Sequence, residues 1–279
     1  MSTEFDIERW ESLPVEASDY PGTPPHALAH LVPRHPLEES VPAILVVGGC
    51  GGAGATTTAL GLAAAVATTT DYDAVAVDVT ATGGDLGLRG ADELMRPVSM
   101  QSWLAGIDSG TTSVSREVLS CSSSGAGLLW RDEAPLPKRT TVATAAQLLT
   151  LSGYFGVYDG GYPVSSRHLL PLIADGRTCL VLTIPARADA ANRMGASLQW
   201  LDDNLGGDVV ADTTVVVSHQ SPDTGPVADR LRRQLAGWVR DVLEVPFDPH
   251  LTSGLAISVD QLTPATSAAY ARIVEGVWP

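Results

Sequence analysis

From Val41 onward, short apolar runs alternate with longer stretches that carry apolar residues at helical spacing. Ala43 to Val47 (AILVV) is unbroken by polar residues and opens into glycines, which predicts a strand buried on both faces. Thr56 to Thr68 predicts a helix, and Ala74 to Val79 a second strand. Gly127 to Trp130 reads as a third strand, Thr141 to Ser152 as a helix, and Gly156 to Asp159 as the end of another strand. Thr178 to Ile184 and Thr213 to Ser218 are further buried strands, separated by a helix from about Ala188 to Leu205. Val227 to Val239 predicts an amphipathic helix with Arg230, Arg232 and Arg233 outward. Val242 to Pro246 is a last short strand and Pro264 to Val277 a closing helix. Strands alternating with helices predict an α/β fold: a doubly wound, mostly parallel sheet with helices on both faces.

The first 40 residues follow a different pattern. They hold six prolines, eight acids and two arginines, so they read as an extended, disordered acidic arm. Trp10, Leu13 and Tyr20 punctuate the acids, a pattern that also suits a segment folding on a partner. The expected organisation is an arm over 1–40 and one domain over 41–279.

Composition narrows the functional classes. The chain has 279 residues, 44% of them hydrophobic, enough for a sizeable core. The formal net charge is −15 and Lys138 is the sole lysine. Such a surface repels phosphate backbones and anionic lipids, so direct nucleic-acid binding is not expected. No apolar run approaches the ~20 residues of a membrane span, and the opening MSTEFDIERWESLP lacks the apolar core of a secretory signal. Cys50, Cys121 and Cys179 form no disulfide or metal-binding spacing, and a reducing cytoplasm is expected.

The chemistry concentrates in Val46 to Thr58, VVGGCGGAGATTT, set between a strand and a helix. A glycine-rich turn feeding a helix N-terminus aims backbone N–H groups and the positive end of the helix dipole at one place, which suits a phosphate. Two patterns fit. Gly49 to Gly54 is literally GxGxxG, and Asp78 ends the next strand, the outline of a dinucleotide fingerprint and of an NAD-binding oxidoreductase. The other fit is a phosphate-binding P-loop.

The loop resembles the deviant Walker A of the ParA/MinD ATPases, Lys-Gly-Gly-Val-Gly-Lys-Thr-Thr, which falls on Cys50 to Thr57 with both lysines replaced, by Cys50 and Ala55. AVAVDVTATGGDLGL resembles that family's switch I, with Asp78 as the first acid and Thr80 in place of the second. VYDGGYP resembles the Walker B end of a strand, with Asp159 as the metal-linked acid. VPFDPHLTSGLAI resembles the segment lining the adenine pocket, at Pro246 and Asp248. The likeness spans about residues 41 to 279 and is strongest to the CpaE/TadZ-type members, associated with placing pilus, secretion or conjugation machinery.

The resemblance implies a nucleotide, ATP or ADP, held by Gly49, Gly51, Gly52, Ala53, Gly54, Ala55, Thr56, Thr57, Pro246 and Asp248. It implies Mg²⁺ near Thr56, Asp78 and Asp159, and pairing of two copies across the loop face. Without the lysines that clamp phosphates, hydrolysis is expected to be weak or absent. The expected role is a scaffold or spatial regulator, with protein partners in such an apparatus and recruitment by them to a membrane complex. An arginine could stand in for the lysines, from Arg89, Arg187 or Arg193, which would make a slow ATPase instead. Cys50 lies where a thiol pKa could drop, but it reads first as structural filler. His219 and His250 read as loop histidines, and Tyr154, Tyr158 and Tyr162 as packing around Asp159.

Overall fold

The computed structural model describes residues 42–136 and 141–277. The arm expected over 1–40 lies outside the described residues. So does Lys138. The strands are β1 (Ala43–Gly48), β2 (Ala74–Asp78), β3 (Ser120–Cys121), β4 (Gly127–Leu129), β5 (Phe155–Asp159), β6 (Thr178–Pro185), β7 (Thr214–Ser218) and β8 (Asp241–Val245). They form one sheet in the order β3-β4-β2-β5-β1-β6-β7-β8. Every pairing is parallel except β3 with β4. The doubly wound, mostly parallel α/β architecture is therefore as the alternation predicts.

The alternation of side chains on β1 shows why both faces are covered. Ile44 and Val46 point into a core shared with α1 (Ala55–Thr69) and α10 (Pro264–Val277), through Leu62, Tyr270 and Ile273. Leu45 and Val47 point into the opposite core, built with α3 (Met100–Asp108), α4 (Thr141–Leu151), α6 (Ala188–Leu205) and α8 (Val227–Gln234). All four strand residues are at most 1% exposed. A strand buried on both faces must be apolar throughout, which explains the unbroken run. In α1, Gly61 lies against the ring of Tyr270 in α10, where a Cβ would come within 2.3 Å.

The chain winds outward from β1 in two directions. Its first half builds β2 to β5 on one side, and after β5 it crosses β1 to lay β6, β7 and β8 on the other. In such sheets the crevice at the strands' C-terminal ends, where the winding reverses, is the place for a ligand. The glycine loop leaves β1 at that crevice.

Several expectations are corrected. The amphipathic helix predicted to run to Val239 ends at Gln234, because Gly237 turns the chain at a positive φ of 80°. Helix α3 falls where no element was expected. Ser99 caps it by accepting from the Ser102 N–H, and Met100 and Trp103 are buried beneath it. Strand β3 is too short to read from a pattern, and short helices α2 (Leu86–Gly90), α5 (Leu170–Ile173), α7 (Gly207–Ala211) and α9 (Pro249–Thr252) fill the connections.

Candidate functional site

The cleft is built where β1 hands over to α1. Gly54 is the N-cap of α1 and takes a left-handed conformation (φ 85°, ψ 28°), which glycine adopts without steric cost. It has no side chain to cap the helix, and the first turn carries no acidic residue. The positive end of a 15-residue helix is therefore left for a ligand. Its far end stops in a run of threonines. The hydroxyls of Thr68, Thr69 and Thr70 turn back onto the carbonyls of Ala64, Ala65 and Val66, competing with helix continuation.

Above the N-terminus lies a cavity of about 500 Å³, bordered by Gly52 to Thr57, Gly161, Tyr162, His219 and Pro246. Gly51 and Gly52 have open space where a Cβ would stand, so a ligand can approach the backbone there. Gln220 reaches over the loop, donating from Nε2 to the Gly52 carbonyl at 3.0 Å. Pro246 and Asp248 close the opposite end. The Asp248 carboxylate accepts from the N–H groups of His250 (2.9 Å) and Thr263 (2.8 Å), fastening this loop to the start of α10. Burial opposes ionisation of Asp248, but the hydrogen bonds from Thr263, Thr266 and His250 hold its carboxyl below the usual range.

The two threonines of the first turn face different walls. Thr56 Oγ1 donates to Asp159 Oδ2 at 2.5 Å. Thr57 Oγ1 accepts from Arg89 Nη1 at 3.0 Å, and Arg89 Nη2 lies 3.4 Å from the Leu251 carbonyl. The Arg89 Nε is shielded from water and has no hydrogen-bond partner among the described residues. Toward β5 the cleft thus shows Thr56, backed by the buried Asp159, and toward α2 it shows a guanidinium.

Asp78 and Asp159 are paired in register at the ends of β2 and β5, and both are fully buried. Burial drives the Asp159 carboxyl up, the Thr56 hydrogen bond opposes this, and the charges of Asp78 and Asp85 add to it, leaving its pKa at about 7. Asp159 Oδ1 also accepts from the Gly161 N–H at 3.1 Å. Asp78 is engaged differently. Oδ1 accepts from the N–H and hydroxyl of Thr80 (3.0 and 2.7 Å), and Oδ2 from the Gly84 N–H (2.9 Å). Its oxygens hold the 80–84 loop in place. A carboxylate so occupied is not free to clasp a ribose, as the dinucleotide reading requires. The buried Arg131 donates to the Thr80 carbonyl from behind.

Of the loop residues named from sequence, Gly51 is exposed and is not among those bordering the cavity, and the others divide in two. Gly52, Ala53, Gly54, Ala55, Thr56 and Thr57 border the cavity, as do Pro246 and Asp248. Gly49 instead packs against α6: a Cβ there would come within 2.7 Å of Ile184 and 3.2 Å of Met194. It is a close-approach glycine and does not border the cavity. The Cys50 thiol is 5% exposed, and burial raises its pKa against the opposing charge of Arg193, in line with its reading as structural filler and not as a thiol of lowered pKa. Of the three candidate arginines, Arg89 borders the cavity. Arg187 is spent on an exposed ion pair with Asp189 at 2.6 Å.

His219 was expected as a plain loop histidine. It sits at the cavity rim with Nδ1 against Thr224 Oγ1 and Nε2 3.0 Å from Glu244 Oε1, and the other Glu244 oxygen is 2.5 Å from Arg232. His250 accepts from the Ser258 N–H through Nε2. Tyr158 is a core residue whose hydroxyl has no partner among the described residues. Sequence reasoning missed Gln220 and the Glu244–Arg232 pair, because each meets the site across a strand gap that spacing does not reveal.

The arrangement fits a phosphate group and a nearby divalent cation. Among the described residues there is no cluster of three or more His, Cys, Asp or Glu side chains able to hold a metal. Of the three residues expected near Mg²⁺, Thr56 and Asp159 meet at 2.5 Å, while the oxygens of Asp78 are engaged by Thr80 and Gly84. Such a sparse set suits Mg²⁺, which keeps several waters and shares phosphate oxygens.

No family model and no curated protein matches the chain. Solved structures do. A ParA family ATPase from Chlorobium tepidum superposes with a TM-score of 0.66 at 14% identity, covering 85% of this chain and 98% of that one. The cell division ATPase MinD of Pyrococcus furiosus gives 0.59 at 17% identity, with coverage of 85% and 98%. A plasmid partition protein of Borrelia burgdorferi bound to AMPPNP gives 0.58 at 12% identity, again with 85% and 98%. The fold is that of these P-loop ATPases.

Proposed function

We propose that this chain is a nucleotide-binding P-loop protein of ParA/MinD type with weak or absent hydrolysis. In this reading it acts as a scaffold or spatial regulator, in the manner of CpaE/TadZ-type proteins of a secretion, pilus or conjugation apparatus. One observation carries the reading. The strand–loop–helix cradle and its open cavity are intact, while the two lysine positions hold the buried, neutral Cys50 and Ala55. A cradle without those cations can still bind phosphate through backbone N–H groups and the helix dipole. It lacks the charges that stabilise phosphoryl transfer.

In this reading ADP or ATP lies with its base toward Pro246 and Leu251 and its phosphates over Gly52 to Thr56. Mg²⁺, when bound, would neutralise phosphate charge beside Thr56 and Asp159. AMPPNP in the Borrelia structure supports a nucleotide as the ligand class. Among the described residues no helix is long and apolar enough to cross a membrane. A homodimer pairing across the loop face belongs to the same reading, as does recruitment by a partner protein. Isothermal titration with ATP and ADP in Mg²⁺, alongside a phosphate-release assay, tests it. The expected result is saturable binding with turnover at or near background. Binding to neither nucleotide refutes the nucleotide reading, and sustained turnover refutes the loss of catalysis.

A second reading rests on Arg89, the one arginine bordering the cavity among the described residues. There the chain is a slow ATPase in which this guanidinium replaces the missing ammonium. Turnover that Arg89→Gln abolishes would favour it.

A further inference from the structure

A second cavity shares no lining residue with the nucleotide cleft. It holds about 270 Å³ between the start of α6 and one face of α8, below the ~300 Å³ at which ordinary small-molecule sites begin. Its lining is mostly apolar: Ala186, Ala191 and Leu231 are buried and Val227 is half-buried. One polar atom departs from that pattern. Gln234, which lines the cavity, has its Oε1 shielded from water with no hydrogen-bond partner among the described residues. A sheltered acceptor left unpaired is costly, so the cavity suits an occupant with an apolar body and one hydrogen-bond donor.

The rim is basic in a strongly acidic chain. Residues 186–193 and 221–234 carry Arg187, Arg193, Arg230, Arg232 and Arg233 against Asp189, Asp223 and Asp229, while the whole chain has a net charge of −15. Arg187 is paired with Asp189, and Arg232 with Asp229 and Glu244. Arg193, Arg230 and Arg233 are exposed and form no ion pair with the described residues. We propose that this cavity receives the acidic N-terminal segment of the same chain, residues 1–40, with Trp10 as its anchor. That segment carries eight acids and two arginines, and Trp10 stands between Glu8 and Glu11. An indole is a large apolar body with one N–H donor and no acceptor, the complement of the cavity and its orphan oxygen. Phe5 and Leu13 offer no donor, and Tyr20 has one acid beside it, Asp19. The chain between Trp10 and Pro42 can extend to roughly 100 Å, so a tether at the start of β1 reaches the cavity. One anchored side chain and a few exposed ion pairs bind weakly, and the tether compensates with an effective concentration on the order of millimolar.

Photo-cross-linking of the full chain tests this. The photoreactive residue p-benzoylphenylalanine replaces Glu11, beside the intact Trp10, and peptide mass spectrometry after irradiation locates its neighbours. The expected product is a cross-link at monomer mass to residues 186–193 or 225–234. Trp10→Ala should lower its yield roughly tenfold, and Arg230→Glu with Arg233→Glu roughly threefold. Raising NaCl from ~0.05 M to ~1 M should also lower it, because exposed charges are screened. Cross-links at dimer mass alone place the segment on a second copy and overturn the proposal. So do cross-links confined to other segments, no cross-link at all, or a yield that Trp10→Ala leaves unchanged. If circular dichroism shows the charge-reversed protein misfolded, Trp10→Ala and the salt series decide. None of these outcomes bears on the nucleotide reading, which concerns the other cavity.

Discussion

Asp159→Asn isolates the cost of an acid held in a dry place. The native carboxyl titrates at about 7, against an ordinary value of 3.8. Between those limits the folded chain keeps a proton that the unfolded chain releases. Stability therefore falls as pH rises through this window, by about 1.4 kcal/mol per pH unit. Carried from acid to pH 7, the loss is roughly 4 kcal/mol. Asparagine removes the titration. Its amide oxygen can still accept from Thr56, but its NH₂ then faces the Gly161 N–H, and that bond is lost at about 1 kcal/mol. The variant should be somewhat less stable than the parent at pH 4 and more stable by roughly 3 kcal/mol at pH 7, the difference of those two magnitudes. Urea unfolding followed by tryptophan fluorescence, in EDTA at pH 4, 5, 6, 7 and 8, measures both curves. Parallel stability–pH profiles for the two proteins would refute the reasoning, because every other acid is common to both.

Further substitutions test the packing that aims the cleft. Gly61→Ala places a Cβ within 2.3 Å of the Tyr270 ring. Despite the better helix propensity of alanine, it should cost about 1–3 kcal/mol in urea unfolding, and Tyr270→Leu in the same chain should recover part of that. Gly54→Ala forces a side chain into the left-handed N-cap (φ 85°), so a loss of about 1 kcal/mol is expected by thermal unfolding, together with weaker ADP binding by calorimetry. Tyr158→Phe deletes a buried hydroxyl that has no partner among the described residues, and the urea midpoint should rise by the equivalent of about 1 kcal/mol.

Much of the fold was legible before any coordinates. The strands buried on both faces announced themselves as unbroken apolar runs, and their spacing by helices implied parallel pairing. The glycine loop announced a phosphate cradle because backbone conformation is a local property: Gly54 takes its positive φ where the pattern required freedom. Elements with few buried residues were not legible. Two-residue β3 has no periodicity to detect, whereas α3 carries Met100, Trp103, Leu104 and Ile107 at helical spacing behind a serine cap, a signal that the reading of the sequence passed over.

The site divides along the same line. Which residue types stand at the loop, and that no lysine is among them, can be read from the chain alone. What those residues face is set by folding. It turned Gly49 toward α6, buried Cys50, engaged Asp78 with the 80–84 loop, and drew Arg89 from a separate helix onto Thr57. Backbone preferences and apolar runs are written within a few residues. The charge around a phosphate is a sum over side chains from distant segments, and folding alone brings those together.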